Sequence, residues 1–286
     1  MSSFVLKIIA IVTMLMDHSG DALIGNFSWL NIVGRIAFPL FAFQLVIGYR
    51  HTHNLKKYML RMIIFAAISQ VPFSILNKKT DPTTLNIFVT LFFGLVVLAL
   101  YDMYLESHGK NKYFLFLRNK KRVPIFSKSK EVVPKNNIEN TISQKQVLFF
   151  NIVKFIYIIL IIILCQAINT DYGAWGIALI LLIHIFYPYQ TRIVDKQYSS
   201  IKKVKVSRYS IISFLMIMFG MALLRYINLI GIIKTYNVIY LTIFTFIPSI
   251  LMLFYNGKKG KECKMFFYIF YPAHLIILNI LRAIIF

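Results

Sequence analysis

Ionisable side chains interrupt the two N-terminal apolar segments of the chain. Asp17, His18 and Asp21 lie in the first segment, and Arg35 lies in the second. Placing a charge inside a bilayer is costly, so such residues are candidates for function and are expected to face the protein interior or a water-filled cavity. Because an arginine keeps its charge, Arg35 needs an anionic partner, which Asp17, Asp21 or a bound ligand can provide.

His18 is the member of this group best suited to acid–base chemistry, because an unperturbed imidazole titrates near pH 6.5. Lys7 precedes it by 11 residues, which in an α-helix is about 20° more than three turns, so both side chains share one face. Asp17 can orient the imidazole, although adjacent helical side chains point about 100° apart. The alternative is that His18 is a buried, hydrogen-bonded residue near a helix end, with Asp17 and Asp21 in the headgroup zone.

Nine apolar segments are available to position these residues in a membrane. Hydrophobic residues make up 58% of the 286 residues, and about 20 apolar residues in a helix cross a ~30 Å hydrocarbon core. The segments lack the alternation of a membrane barrel. We therefore predict an all-α fold, a polytopic integral membrane helical bundle that forms one domain over 1–286. The predicted helices are 4–24, 29–50, 57–76, 85–105, 147–168, 173–190, 209–230, 235–255 and 264–286.

Lysine and arginine are concentrated in alternate connections between these segments. The chain has 32 basic and 10 acidic residues and a net charge of +22. Of the basic residues, 24 lie in 50–61, 106–147, 190–208 and 256–264, and three lie in the opposite connections. The positive-inside rule then predicts that the N-terminus is inside and that the protein is a multi-pass protein of the cytoplasmic membrane. The expected partner of this charge is the lipid bilayer and not nucleic acid.

The stretch 106–147 is predicted to be a basic cytoplasmic insertion. Its first interpretation is a topology determinant that rests near anionic headgroups. Its second interpretation is a segment that helps to bind an anionic cosubstrate. No metal site is expected, because His51 and His53 form an H-x-H pattern without a third ligand.

Six stretches that keep their order along the chain resemble the TraX family. They are "LKIIAIVTMLMDHSGDAL", "GRIAFPLFAFQLVIGYRHTHNLKKYMLRM", "SQVPF", "LNIFVTLFFGL", "NTDYGAWGI" and "FFYIFYPAHLIIL". The family is typified by an acetylase of the N-terminal amine of conjugative pilin. It is more distantly similar to the acyltransferase-3 and heparan acetyltransferase group, whose first-helix pattern is an Arg, ten residues and a His. Here Lys7 stands in place of that Arg.

The resemblance implies that an acetyl group moves from cytoplasmic acetyl-CoA to an acceptor amine of a secreted peptide or pilin-like protein. In this interpretation His18 is the general base, Asp17 fixes its tautomer, and Arg35 holds an anionic group or stabilises an oxyanion. A covalent acetyl-imidazole and direct transfer both fit. The cations expected to attract the phosphates of CoA are Lys7, Arg50, Lys57 and Arg61.

Three further residues are assigned to the acceptor. Asp171 and Tyr172 lie in "NTDYGAWG" on the predicted outer side, where the alternative is a turn with glycines that permit close packing. His274 in "YPAHL" is the third, and its alternative is a hydrogen-bonded core histidine. His184 and Arg225 are other candidates inside apolar segments, without a motif.

Two other functions fit the same residues. One is O-acetylation of a surface polysaccharide, which changes only the acceptor. The other is a transporter or channel in which Asp17, His18 and Arg35 relay protons or bind an anion. The chain has no convincing internal repeat of the kind that many transporters contain.

Overall fold

The described part of the chain is built mainly of helices. The computed structural model describes residues 1–24, 28–76, 83–107, 113–117, 144–188, 192–195, 200–203, 208–227, 235–261 and 263–286. A short π-helical turn, Gly20–Ile24, continues the first helix. The α-helices are α1 (Ser3–Ser19), α2 (Trp29–Gly34), α3 (Ala37–His51), α4 (Leu55–Leu76), α5 (Ile87–Tyr101), α6 (Gln144–Ala167), α7 (Gly173–Phe186), α8 (Arg208–Tyr226), α9 (Thr235–Leu253) and α10 (Lys264–Ile285).

Two small antiparallel strand pairs follow α5 and α7. Strands β1 (Met103–Ser107) and β2 (Tyr113–Leu117) pair with Leu105 opposite Leu115, and β3 (Arg192–Asp195) pairs with β4 (Ser200–Lys203). The sequence did not predict these strands. They lie in the two longest basic connections, and β1 begins inside the predicted helix 85–105, because α5 ends at Tyr101. The prediction of an all-α membrane bundle is confirmed for the apolar helices.

The apolar helices make the chain a multi-pass membrane protein. Within the described residues, six helical stretches are long and apolar enough to cross a bilayer, and three shorter apolar helices (Ile87–Tyr101, Gly173–Phe186 and Asn237–Leu253) accompany them. Each of the nine predicted segments thus contains an apolar helix. The number of spans and the inside location of the N-terminus stay predictions.

The second predicted helix, 29–50, is divided in two. The backbone turns at Arg35 and Ile36 between α2 and α3, where the amides of both residues bond the carbonyl three residues earlier. Pro39 explains the division, because its ring would clash with the carbonyl of Arg35 in a continuous helix. The division leaves Arg35 at a helix junction.

Helix α3 forms the centre of the bundle and contacts α1, α5, α7 and α9. It is apolar on all sides, as expected of a buried helix, and Phe38, Leu40, Phe43 and Tyr49 are almost completely buried. Helix α10 packs against α4 and α1. By contrast, α6 is the least buried of the long helices, so most of its apolar surface is left for lipid.

The bundle has two ends that differ in their connections. We call the end where α3–α4, α5–α6, α7–α8 and α9–α10 are joined the basic end, and the other the opposite end. At the basic end the amide of Asn256 donates to the carbonyl of Met1 (2.9 Å). At the opposite end Leu85 and Thr170 form an isolated bridge between two connections.

Candidate functional site

Two histidines from distant parts of the chain are hydrogen-bonded inside the bundle. Nδ1 of His18 lies 2.7 Å from Nε2 of His274. Nδ1 of His274 lies 2.9 Å from the carbonyl oxygen of Phe270. A carbonyl can only accept, so His274 carries its proton on Nδ1 and accepts at Nε2. His18 must then donate from Nδ1, which leaves a lone pair on its Nε2.

The surroundings of this histidine pair are aromatic. His274 is 4% exposed and its ring stacks on Phe270 with centroids 5.1 Å apart. The ring of Tyr271 approaches both imidazoles edge-on, 6.1 Å from His18 and 5.5 Å from His274. An apolar environment strengthens the hydrogen bond between the two rings, so the orientation of His18 is well determined.

A cavity of about 410 Å³ approaches the pair from the basic end. Lys7, Arg61 and Lys259 line it, and deeper in the bundle Met14 and Tyr271 line it. His18 follows Met14 by one helical turn, and Tyr271 contacts its ring. Lys7 lies over the ring of Phe267 (5.2 Å), so the face of α1 that carries Lys7 and His18 runs along α10.

The four basic residues that were predicted to attract the phosphates of CoA do not all lie together in the structure. Lys7 and Arg61 line the cavity. Arg50 lies elsewhere and donates to the carbonyl of His184 (2.6 Å) on α7, while Lys57 is exposed at the start of α4. Arg50 lies apart from the cavity because its neighbour His51 lines the cavity and adjacent helical side chains diverge by about 100°; its role in binding CoA stays a prediction.

Asp17 does not orient His18. Its carboxylate forms an ion pair with Arg35, and the amide nitrogen of Asn31 donates to it (3.2 Å) and to Asp21 (2.7 Å). Arg35 also donates from Nε to the backbone carbonyl of Asn31 (2.9 Å). The anionic partner expected for Arg35 is therefore Asp17, and the network fastens α2 to α1 beside the histidine pair.

Gly34 permits this close approach of α1 and α2. A Cβ at position 34 would overlap the side chain of Asp17. We expect Gly34→Ala to lower the free energy of unfolding by about 1–3 kcal/mol, as overpacking does, in a reversible detergent-denaturation experiment. Gly220→Ala on α8 is the matched control, because among the described residues its added Cβ meets no atom within 4 Å beyond its chain neighbours and the backbone of its own helix. Equal stability of the two variants would contradict the close contact.

Asp171 and Tyr172 lie at the opposite end in an aromatic and ionic group. The ring of Tyr172 stacks on Phe38 with centroids 3.6 Å apart, and the guanidinium of Arg225 lies over Tyr172 (5.6 Å) and Trp175 (5.1 Å). These contacts place the two predicted acceptor residues together. His274, the third, lies instead with His18.

Burial raises the pKa of the Asp171 carboxyl to about 7. The positive charges of Arg35 and Arg225 oppose this rise, and the negative charges of Asp17 and Asp21 add to it. Among the residues that the structure describes, the charges that act on Asp171 are those of two guanidiniums and two other carboxylates, so ionised Asp171 adds a negative charge to a balanced set. A cationic ligand group suits this environment.

His184 belongs to a third polar group, at the basic end. Its Nε2 lies 3.0 Å from Asp102, which also accepts from the hydroxyl of Tyr49 (3.0 Å). Burial of Asp102 favours a raised pKa, but the hydrogen bonds and charge of His184 and the hydroxyl of Tyr49 outweigh it and lower the pKa. The group ties α3, α5 and α7 together.

Sequence reasoning missed Gln44, Asn31 and Tyr271. Gln44 lines the cavity and accepts from the hydroxyl of Ser3 (2.6 Å). A lone amide in the apolar "FPLFAFQLVIGY" was a usable signal for Gln44, whereas nothing distinguishes Tyr271 among 17 tyrosines. Among the residues that the structure describes, no group of three or more His, Cys, Asp or Glu side chains is placed to hold a metal ion.

The fold and the site define a polytopic helical membrane protein in which a histidine pair contacts Tyr271, a residue that also lines a cation-lined cavity. The chain belongs to the TraX protein family, whose model matches residues 2–111 and 136–282. The unmatched stretch between these two parts, 112–135, falls within the basic insertion predicted at 106–147.

Two relatives are similar to the chain. A probable fimbrial assembly protein FimC, serogroup H1, of Dichelobacter nodosus is 26% identical over 285 residues, which cover 97% of this chain and 94% of the relative. An uncharacterized protein of Rickettsia prowazekii (strain Madrid E) is 35% identical over 89 residues, which cover 31% of this chain and 33% of the relative. No solved structure matches the chain.

Proposed function

We propose that the protein is a membrane-embedded N-acetyltransferase that moves an acetyl group from acetyl-CoA to an amine of a secreted peptide or pilin-like protein. The observation that carries the proposal is the lone pair fixed on Nε2 of His18, whose ring contacts Tyr271 in the wall of the cavity that opens towards the basic end. A neutral imidazole with a determined tautomer is the usual general base at neutral pH.

The cavity suits the donor. Its volume of about 410 Å³ lies within the range of ~300–1,000 Å³ typical of small-molecule sites. Lys7, Arg61 and Lys259 provide positive charge for the phosphates of acetyl-CoA, and the apolar walls suit its pantetheine arm. By the positive-inside rule this end faces the cytoplasm, where acetyl-CoA is made.

His18 serves both halves of the transfer. Its Nε2 takes the proton from the attacking amine as the new C–N bond forms. The C–S bond then breaks, the electron pair goes to sulfur, and His18 returns the proton to the thiolate. His274 holds the imidazole in the required tautomer and acts as a positioning residue. Metal ions have no part in this scheme.

The opposite end suits the acceptor. Ionised Asp171 can hold the ammonium form of an arriving peptide N-terminus, and Tyr172 and Trp175 offer aromatic surface beside it. The ammonium releases one proton to water before its neutral amine attacks the thioester, and the second proton goes to His18. The similarity to a protein named as a fimbrial assembly protein supports a pilin-like acceptor. In this arrangement the donor and the acceptor approach His18 from opposite sides of the cytoplasmic membrane.

The role of Asp171 predicts a dependence on pH. Its pKa of about 7 means that the carboxylate forms as the pH rises through 7, so the KM for the acceptor should fall there. Asp171→Asn should remove this change while leaving the KM for acetyl-CoA unaltered. The free energy of unfolding of the unliganded protein should also fall as the pH rises from about 4 to about 7. The reason is that the Asp171 carboxyl releases its proton near pH 4 in the unfolded chain but only near pH 7 in the folded protein. A wild-type KM for the acceptor that is flat across this range would contradict the assignment.

Purified protein in proteoliposomes with labelled acetyl-CoA tests the function. We expect label to enter peptides with a free N-terminal amine and not N-terminally blocked peptides of the same sequence. Mass spectrometry of secreted peptides and envelope polymers, from cells with and without the protein, identifies the natural acceptor. Acetylated polymer with unmodified peptides would establish O-acetylation instead. Failure to bind acetyl-CoA, with proton or anion flux in its absence, would overturn the proposal in favour of transport.

A further inference from the structure

Several buried side-chain polar atoms of the described residues have no hydrogen-bond partner, and two of them are donors on residues that line the cavity. The hydroxyl of Tyr271 and Nε2 of Gln44 make no hydrogen bond within the described part of the chain, although Tyr271 is 3% exposed and Gln44 is 7% exposed. Buried polar groups are almost always paired, because an unpaired one loses its hydration without compensation. Each such group therefore needs an explanation.

Both donors belong to residues that line the cavity described above. Oε1 of Gln44 already accepts from the hydroxyl of Ser3 (2.6 Å), so only its NH2 group remains unused. The backbone amide of Ile87 approaches the hydroxyl oxygen of Tyr271, but an amide can only donate. The proton of the Tyr271 hydroxyl therefore stays available, and the cavity presents two donors to a ligand.

Tyr271 lies between the cavity and the histidine pair. It lines the cavity, and its ring contacts both His18 and His274. Under the proposed function the acetyl thioester enters through the cavity and His18 takes the proton of the amine, so the transfer takes place where the cavity meets the histidine pair. Tyr271 occupies that position.

We infer that the hydroxyl of Tyr271 donates a hydrogen bond to the carbonyl oxygen of the acetyl thioester, and that Nε2 of Gln44 donates to an amide carbonyl further along the same ligand. The inference rests on the proposed function. It makes Tyr271 a catalytic residue and Gln44 a binding residue, and it defines the ligand as an acyl thioester with a carbonyl-bearing arm.

The hydroxyl of Tyr271 is the group that meets the developing charge. When the amine nitrogen bonds to the acetyl carbon, the π electron pair of the C=O bond moves to oxygen and gives a tetrahedral oxyanion. A buried O–H donor stabilises that charge more than it stabilises the neutral carbonyl. The amine proton passes to Nε2 of His18. The C–S bond then breaks, its electron pair goes to sulfur, and His18 protonates the thiolate.

Tyr271→Phe tests the catalytic assignment, because it removes one oxygen atom and no packing surface. We expect kcat to fall by about 10²-fold, the usual loss for one oxyanion donor, with little change in the KM for acetyl-CoA. Infrared spectra of bound [1-13C]acetyl-CoA provide a second measurement: the carbonyl stretch should lie lower in the wild type than in Tyr271→Phe. Tyr187→Phe is the matched control, since this buried hydroxyl donates to the carbonyl of Met252 (2.8 Å) and lies outside the cavity.

Gln44→Met tests the binding assignment, because it keeps the length of the side chain and removes the donor. We expect about a tenfold rise in the KM for acetyl-CoA, roughly one hydrogen bond, with kcat retained. Ser3→Ala is the control: it removes the partner of Oε1 and keeps Nε2, so its effect on KM should be smaller.

The outcomes separate the inference from the proposed function. A wild-type protein that neither binds nor uses acetyl-CoA would overturn both. An active wild type whose kcat and carbonyl frequency are the same in Tyr271→Phe would overturn the role of Tyr271 alone. Unaltered KM in Gln44→Met would overturn the role of Gln44. The infrared measurement needs only binding, so it remains decisive in a variant with weak activity.

Discussion

Replacing His18 by alanine is expected to lower the rate of acetyl transfer by about 10²- to 10⁴-fold, the usual contribution of a positioned general base. Binding of acetyl-CoA should persist, because Lys7, Arg61 and Lys259 line the cavity and His18 does not. Single-turnover transfer and equilibrium binding of labelled acetyl-CoA, measured on the same proteoliposomes, check both statements.

Two further variants show how His18 acts. His18→Gln keeps a donor for His274 and lacks a base, so it should be as inactive as the alanine variant. His274→Ala should cause a smaller loss, and His274→Gln should recover part of it because its amide oxygen can accept from Nδ1 of His18. Full activity in His18→Gln would exclude general-base catalysis by this residue.

Replacing Arg35 by leucine is expected to lower the free energy of unfolding by about 3–5 kcal/mol, because the carboxylate of Asp17 is left buried without its counter-charge. The side chains of Arg35 and Asp17 are only 23% and 11% exposed, so solvent does little to compensate. Reversible unfolding in mixed detergent micelles measures the change.

A double-variant cycle separates the ion pair from the loss of packing. Asp17→Leu combined with Arg35→Leu should cost much less than the sum of the two single changes, since no unpaired charge remains. Arg282→Leu on α10 is the control for removing an arginine, because Arg282 donates to the carbonyl of Leu76 (3.1 Å) and not to a carboxylate. Additive losses at positions 17 and 35 would mean that the pair is not coupled.

The sequence predicted the features that depend on local order along the chain. Long apolar runs gave the membrane helices, and 3.6-residue periodicity correctly placed Lys7 and His18 on the face of α1 that runs along α10. Pro39 accounts for the interruption of the helix beside Arg35. The membership of the TraX family is confirmed. For the membrane helices, the shared face of Lys7 and His18, and the interruption at Pro39, the residues that cause the feature lie within a few helical turns of it.

Features that depend on how helices dock were not predictable in this way. His18 and His274 are 256 residues apart, and no local pattern pairs them. Asp17 was assigned to His18 because it is adjacent in sequence, but helical geometry turns it towards Arg35. Arg50 was assigned to the CoA site because of its charge, but its direction is set by packing against α7.

The bond between α1 and α10 has a consequence for biosynthesis. The two histidines lie on either side of residues 112–135, the stretch outside the family match, so each half of the chain supplies one of them. The ribosome delivers His18 to the membrane long before His274 follows. Until α10 docks, Nδ1 of His18 has no acceptor to select its tautomer. The proposed general base therefore acquires its tautomer only after α10 has been translated. A nascent chain that has reached only the basic insertion is expected to have no acetyltransferase activity.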